Sequence, residues 1–289
     1  MKSALQKSSI PSSRIFVAKD LSEKHFDPTW HAHGEYQLFL VTKGSGTRFI
    51  GNTVKSFAEG DITFIAPGVP HLWRSDRAYF DKKSKLVAEG LVIYFKGDFV
   101  ADMLDKEEMR SINVLFTKAK RAIEFYGQAV TQLAGMMKKI VEARGVESII
   151  QLFQILHMMC STKEYKLLHH TDYSYKLKES ETHRINLVYN YAAQHFHSAI
   201  ALQEVADLLS MTPTSFSRYF RLKTGKSFSD FVTELRISHA CKLLVEDDRK
   251  TVQQVGYDCG FNTLSNFNKQ FKIFMRTTPK SYRAAFSSL

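Results

Sequence analysis

The sequence predicts an α+β chain in two parts: an N-terminal block of short strands followed by helices, then an all-α C-terminal domain that uses one two-helix pattern twice. Three observations carry this expectation. From Trp30 to about Phe95 apolar residues alternate with a period of two, in short runs between glycine and proline turns. From about Phe99 the period becomes helical. The last ninety or so residues then repeat a helix, a break and a second helix at a spacing of about fifty.

The strand runs are Gln37 to Val41 before Lys43-Gly44, Thr47 to Ile50 before Gly51-Asn52, Asp61 to Ile65 before Pro67-Gly68, and Leu91 to Phe95. Short strands with frequent glycine turns imply a sandwich or a small barrel. His31 and His33 stand two apart and share a face of any extended segment. His31-Ala32-His33, Gly44, Gly60-Asp61 and Pro67-Gly68-Val69-Pro70-His71 together resemble the two motifs of the cupin barrel. That resemblance implies a cupin-like β-barrel over residues 1–98, followed by helices. Cupin enzymes hold a metal with histidines and a glutamate, and the resemblance puts His31, His33 and His71 at histidine positions and Gln37 where the glutamate would stand. A neutral amide is a weaker ligand than a carboxylate. The expectation is therefore a barrel that takes a small organic effector and needs no metal or other cofactor, with His31, His33, Gln37, His71 and Trp73 as effector-binding residues. Trp30, Tyr36 and Trp73 stand at strand ends, where aromatic residues either line a mouth or pack in the core.

Residues 99–168 read as a helical dimerisation segment. One helix runs from Arg121 to Arg144 with a stripe through Ile123, Val130, Leu133, Met137 and Ile140. Another begins after Gly145, with Ile149, Leu152, Phe153, Leu156 and Met159/Cys160 at helical spacing. Such a stripe packs on its own barrel or on a second copy of the chain. His157 beside it reads as a surface residue. Residues 169–182 are polar and aperiodic and read as a linker, in which the adjacent His169 and His170 are poorly disposed to share an ion.

In residues 183–289 the first copy of the pattern is Glu204 to Leu209, a Ser210-Met211-Thr212 break, then Pro213 to Lys223 with Phe216, Tyr219 and Phe220 at helical spacing. The second is Gln254 to Cys259, a Gly260-Phe261-Asn262 break, then Thr263 to Lys272 with Phe267 and Phe271. Ala206 and Gly256 occupy the same slot, where crossing helices bring their backbones close. Thr212 caps one second helix, and Asn262 or Thr263 the other. From about 183 to 286 the chain resembles the DNA-binding domain of the AraC/XylS transcription regulators, on Phe220-Arg221, Thr224-Gly225, Arg236/Ala240/Leu243-Leu244, Gly260-Phe261 and Pro279/Tyr282-Arg283. Two departures stand out. Gly256 replaces the usual alanine, which predicts a slightly looser helix. Arg276 replaces the usual turn glycine, which predicts a different closure of that helix.

The resemblance implies a sequence-specific regulator with an N-terminal cupin-like effector domain, double-stranded DNA as partner, a homodimer, and RNA polymerase as a further candidate partner. The exposed face and N-terminal part of each second helix enter the major groove in such domains. Thr214, Ser217 and Arg218 are the base-contact candidates of the first copy, and Leu264, Ser265, Asn268 and Lys269 those of the second. Arg218 suits a guanine, Asn268 an adenine, and Leu264 a thymine methyl. Arg221, Lys223 and Lys272 suit phosphates. Arg236 reads as structural, paired with Asp230 or Glu234. Phe228 to Val245 has no internal proline or glycine and predicts one helix of about eighteen residues, about 27 Å long.

Composition bounds the remaining classes. The 289 residues suffice for two cores, and the net charge of +11 favours a polyanionic partner without proving one. No apolar run has the length of a membrane span, and the first residues lack the apolar core of an export signal. Three cysteines, Cys160, Cys241 and Cys259, form no disulfide framework. A cytoplasmic protein is expected. The competing class is a metal-dependent cupin enzyme with an appended helical domain, against which Gln37 weighs.

Overall fold

A computed structural model describes residues 10–169 and 179–286. They fall into two compact units that divide near residue 176. In the N-terminal unit the alternating runs form an antiparallel sheet in the order β1-β7-β2-β5-β8-β9, where β1 is Phe16–Glu23, β2 Tyr36–Lys43, β5 Ile62–Ile65, β7 Ala88–Phe95, β8 Ile123–Phe125 and β9 Tyr165–Leu167. A three-stranded sheet has the order β4-β3-β6, from Thr53–Phe57, Gly46–Ile50 and His71–Ser75. The two sheets face each other through Phe39 and Trp73, whose rings meet edge to face at 4.8 Å.

The predicted strands are all present, but the helical segment differs from expectation. Residues 123–125 pair with β5 as strand β8, so the helix expected from Arg121 starts only at Gln128. Helices α1 (Arg110–Ala119), α2 (Gln128–Glu142) and α3 (Gly145–Ser161) bury Leu115, Phe116, Leu133, Met137, Leu152 and Leu156 in the same core as Leu38, Phe64 and Ile93. Residues 99–168 are therefore part of the barrel's own fold. The expected linker also changes at both ends. His169 is buried and bonded to Asn52 and Arg121, and Glu179 already opens a helix; His170 and the rest of 170–178 lie outside the described residues.

The C-terminal unit consists of α4 (Glu179–His195), α5 (Leu202–Asp207), α6 (Pro213–Thr224), α7 (Phe228–Glu246), α8 (Val252–Asp258), α9 (Leu264–Met275) and α10 (Pro279–Phe286). Starts follow side-chain caps: Thr212 accepts from Ser215 N, Ser227 from Asp230 N, Thr263 from Asn266 N, and Thr251 with Gln254 forms a capping box. Thr263, not Asn262, is thus the second cap. The joining helix α7 has 19 residues, about 28 Å at the α-helical rise. It buries Phe231 against Phe220 of the first helix pair and Cys241 and Leu244 toward the second.

Arg236 on α7 makes neither expected ion pair. It donates to the carbonyls of Phe196 and Ser198, each at 2.7 Å, and so holds the turn after α4, while Glu234 pairs with Lys226 and Asp230 sits in the Ser227 cap. Tyr189 of α4 stacks on Phe231 at 4.6 Å, and His197 beyond its end donates to Asp258 O at 2.9 Å. Helix α4 therefore begins on the first pair and ends on the second.

Candidate effector pocket and nucleic-acid interface

The histidines expected to meet do meet. His31 and His71 exchange both backbone hydrogen bonds of an isolated antiparallel bridge, at 3.1 and 2.8 Å. Gly68, at φ 78, bends the chain so that its N–H reaches His33 O at 2.9 Å. One ring nitrogen from each of His31, His33 and His71 lies within 4.8 Å of the others. Every ring is oriented by a carbonyl: Nδ1 of His31 donates to Thr29 O at 2.8 Å, Nδ1 of His71 to Val69 O at 2.8 Å, and Nδ1 of His33 to Glu35 O at 3.1 Å. Burial holds His33 below the usual histidine range and His71 well below it, so both rings are neutral at pH 7.

Gln37 on β2 inserts between two of the rings, its Oε1 lying 3.0 Å from Nε2 of His33 and 3.1 Å from Nε2 of His71. Three imidazoles this close are a donor set that can hold an ion, but a neutral amide stands where a carboxylate would complete the set and already lies at hydrogen-bond distance from two of the three rings.

A cavity of about 510 Å³ opens on this cluster, lined by His31, Gln37 and His71 together with Phe39, Trp73 and Tyr94. It is within the range of small-molecule sites. His33 stands behind this wall, its ring edge to face with Tyr94 at 5.3 Å. Burial pushes the Tyr94 hydroxyl up to about 12, keeping it a neutral donor. Of the three aromatic candidates only Trp73 lines the cavity. Trp30 is buried, and Tyr36 stacks on Phe116 at 4.3 Å. Lys19 and Tyr94, absent from the sequence expectation, line it because β1 and β7 pair beside β2. No local signal marks that non-local pairing.

In the C-terminal unit the second helices α6 and α9 bury Phe216 and Phe220, and Phe267 and Phe271, and turn their polar faces outward. Thr214, Ser217, Arg218 and Arg221 are exposed on one, and Ser265, Asn268, Lys269 and Lys272 on the other. Two candidates differ. Lys223 is largely buried in an ion pair with Glu181, which removes it from the phosphate-contact set. Leu264 is half-buried against the second core, so its side chain supports the helix start more than it projects from it.

The comparisons match both units of the chain. The sequence model of the AraC-like ligand binding domain matches residues 15–143, and that of a helix-turn-helix domain matches residues 205–285. An uncharacterized HTH-type transcriptional regulator of Staphylococcus aureus is 24% identical over 254 residues, 84% of this chain but 31% of its own length. The chain thus spans about a third of the staphylococcal relatives it matches. The uncharacterized HTH-type transcriptional regulator YdeC of Bacillus subtilis is 25% identical over 261 residues, covering 88% of this chain and 85% of that protein. Among solved structures, the DNA-binding domain of AdpA in complex with a target DNA is 28% identical over 35% of this chain and 90% of its own, at a TM-score of 0.33. Unsaturated fatty acid bound ToxT from Vibrio cholerae is 15% identical over 95% of this chain and 96% of its own, at 0.36. Neither score establishes a shared arrangement.

Proposed function

We propose that the chain, in which an AraC-like ligand binding domain is followed by a helix-turn-helix domain, is a cytoplasmic, sequence-specific DNA-binding regulator of the AraC type controlled by a small organic effector in the N-terminal cavity. It acts by binding and not as an enzyme. The observation that carries this reading is the pair of exposed polar helix faces, α6 and α9, mounted on one helix, α7. Arg218 and Asn268 have the geometry to read bases, with Thr214, Ser217, Ser265 and Lys269 beside them. Arg221 and Lys272 neutralise phosphates. The chain's net charge of +11 supports a polyanionic partner.

Dimerisation through α2 and α3 is part of the same proposal. Between them runs a groove of about 940 Å³ lined by Met136, Ile149, Ile150 and Phe153, and Val146 and Ile150 are 71% and 46% exposed. Apolar exposure of that kind marks contact surfaces. RNA polymerase is the partner such a regulator would recruit. Among the described residues no helix is long and apolar enough to cross a membrane.

Footprinting of the full-length protein on its own upstream DNA tests the reading. A 28 Å joining helix with a packed pair at each end sets the reading helices about one DNA turn apart, so each subunit should protect two blocks about ten base pairs apart. Inserting about five base pairs between the blocks rotates one by half a turn and should lower affinity by more than about a hundredfold. One block per subunit, or an unchanged affinity, means that only one pair reads DNA.

A further inference from the structure

The hydrogen bonds around Gln37 fix more than its position. A carbonyl oxygen only accepts, so the bonds to Val69 O and Glu35 O place the single ring hydrogen of neutral His71 and His33 on Nδ1. Their Nε2 atoms are then lone pairs, and both point at one terminal atom of the Gln37 amide, 3.0 and 3.1 Å away. An oxygen there would face two acceptors with no hydrogen between them. The amide's two ends are interchangeable by a half rotation, and the nitrogen end carries two hydrogens.

We propose that the Gln37 amide stands in the place of a metal ion: turned so that its NH₂ donates one hydrogen to Nε2 of His33 and the other to Nε2 of His71, it closes the histidine pair and leaves the cavity to an organic ligand. Trp73 lines the same cavity, its ring 5.6 Å from that of His71. Glutamate at position 37 would reverse the arrangement. A carboxylate has no hydrogen to give two imidazole lone pairs, so four electron-pair donors would converge with one negative charge among them, a donor set that suits zinc, cobalt or nickel.

The inference rests on the effector reading only in naming what the cavity takes, and the test is read without DNA. Full-length protein, Gln37→Glu and Gln37→Glu/His71→Ala are incubated with Co²⁺ and desalted, then assayed for bound metal and for the visible absorption of a histidine-ligated cobalt ion. The native chain should retain cobalt near background. Gln37→Glu should retain more than about tenfold as much, and the double variant should lose it. In parallel, nitrogen-15 spectra of the native protein's histidines should show Nδ1 protonated and Nε2 as an acceptor for His33 and His71, a measurement that stands even where the variants fail to fold. Cobalt retained equally by the native chain and Gln37→Glu overturns the proposal. A folded Gln37→Glu that takes up no cobalt does so too, as does a hydrogen found on Nε2 of either histidine in the neutral ring. Specific DNA binding by the same native preparation reports on the regulator reading independently of all three.

Discussion

The two helix pairs of the C-terminal unit reach one geometry with different residues, and strain sits at opposite ends of them. In the first pair the turn bends at Ser210, a non-glycine at φ 53, and α6 ends on Gly225 at φ 74. In the second the turn bends at Gly260, at φ 84, and α9 ends on Arg276, a non-glycine at φ 58. Corresponding bonds close both turns, from Met211 N to Ala206 O and from Phe261 N to Gly256 O, each 3.0 Å. The second turn carries one extra residue, because Ala206 matches Gly256 at an offset of fifty but Thr212 matches Thr263 at fifty-one. Backbone shape is thus what the two pairs share. Each tolerates one left-handed side chain, at about 1 kcal/mol, where packing over-determines the bend.

The helix-crossing slot differs for a steric reason. Ala206 fits in the first pair, whereas a Cβ on Gly256 would lie 2.9 Å from the ring of Phe267. The second pair is packed more closely, so its glycine reflects contact and not looseness. Arg276 likewise closes its helix in the ordinary way, donating to Lys272 O at 3.0 Å, contrary to the different closure that a side chain there predicted.

The largest expected effect comes from removing the second pair's freedom at its turn. Gly260→Ala would put a Cβ 2.7 Å from the carbonyl oxygens of Phe196 and His197 at a left-handed φ, and should cost more than about 3 kcal/mol in denaturant unfolding. A cost below about 1 kcal/mol would show that this turn is no more constrained than that at Ser210. Of intermediate size is the division of labour on the reading faces. Arg218→Ala should weaken specific binding by about 1–3 kcal/mol and relax one or two base pairs, while Lys272→Ala should weaken all duplexes alike and flatten the salt slope by about one unit. Titrations of specific and random DNA at several salt concentrations separate the two, and identical behaviour would erase the distinction. Smallest is relief of strain: Arg276→Gly should stabilise the domain by about 0.5–1 kcal/mol by thermal or denaturant melting. A loss of stability there would mean that the arginine side chain does more than occupy a cramped bend.

Much of this was legible because helices announce themselves locally. Thr212, Ser227, Thr251 and Thr263 stand where caps belong, and Phe216/Phe220 and Phe267/Phe271 mark buried faces by spacing alone. Strands β8 and β9 were illegible for the opposite reason. Each is three residues long and set among helical periodicity, and each exists only because a partner distant in sequence supplies hydrogen bonds. At the pocket, residue types announced His31, His33, His71 and Gln37, but which ring nitrogen carries hydrogen depends on the carbonyls of Thr29, Val69 and Glu35. Lys223 shows the limit of charge: its position suits a phosphate, and Glu181, more than forty residues earlier, claims it.

The turn after α4 has a consequence for regulation. Arg236 grips it from the joining helix, Gly260 lets it approach the second pair, and α4 leads back to the first. These contacts tie the two candidate reading faces together like the jaws of a caliper. In the proposed regulator, an effector signal arriving at this unit would then act on the presentation of the whole caliper to the duplex, with the gap between the jaws held by the packing along α4 and α7.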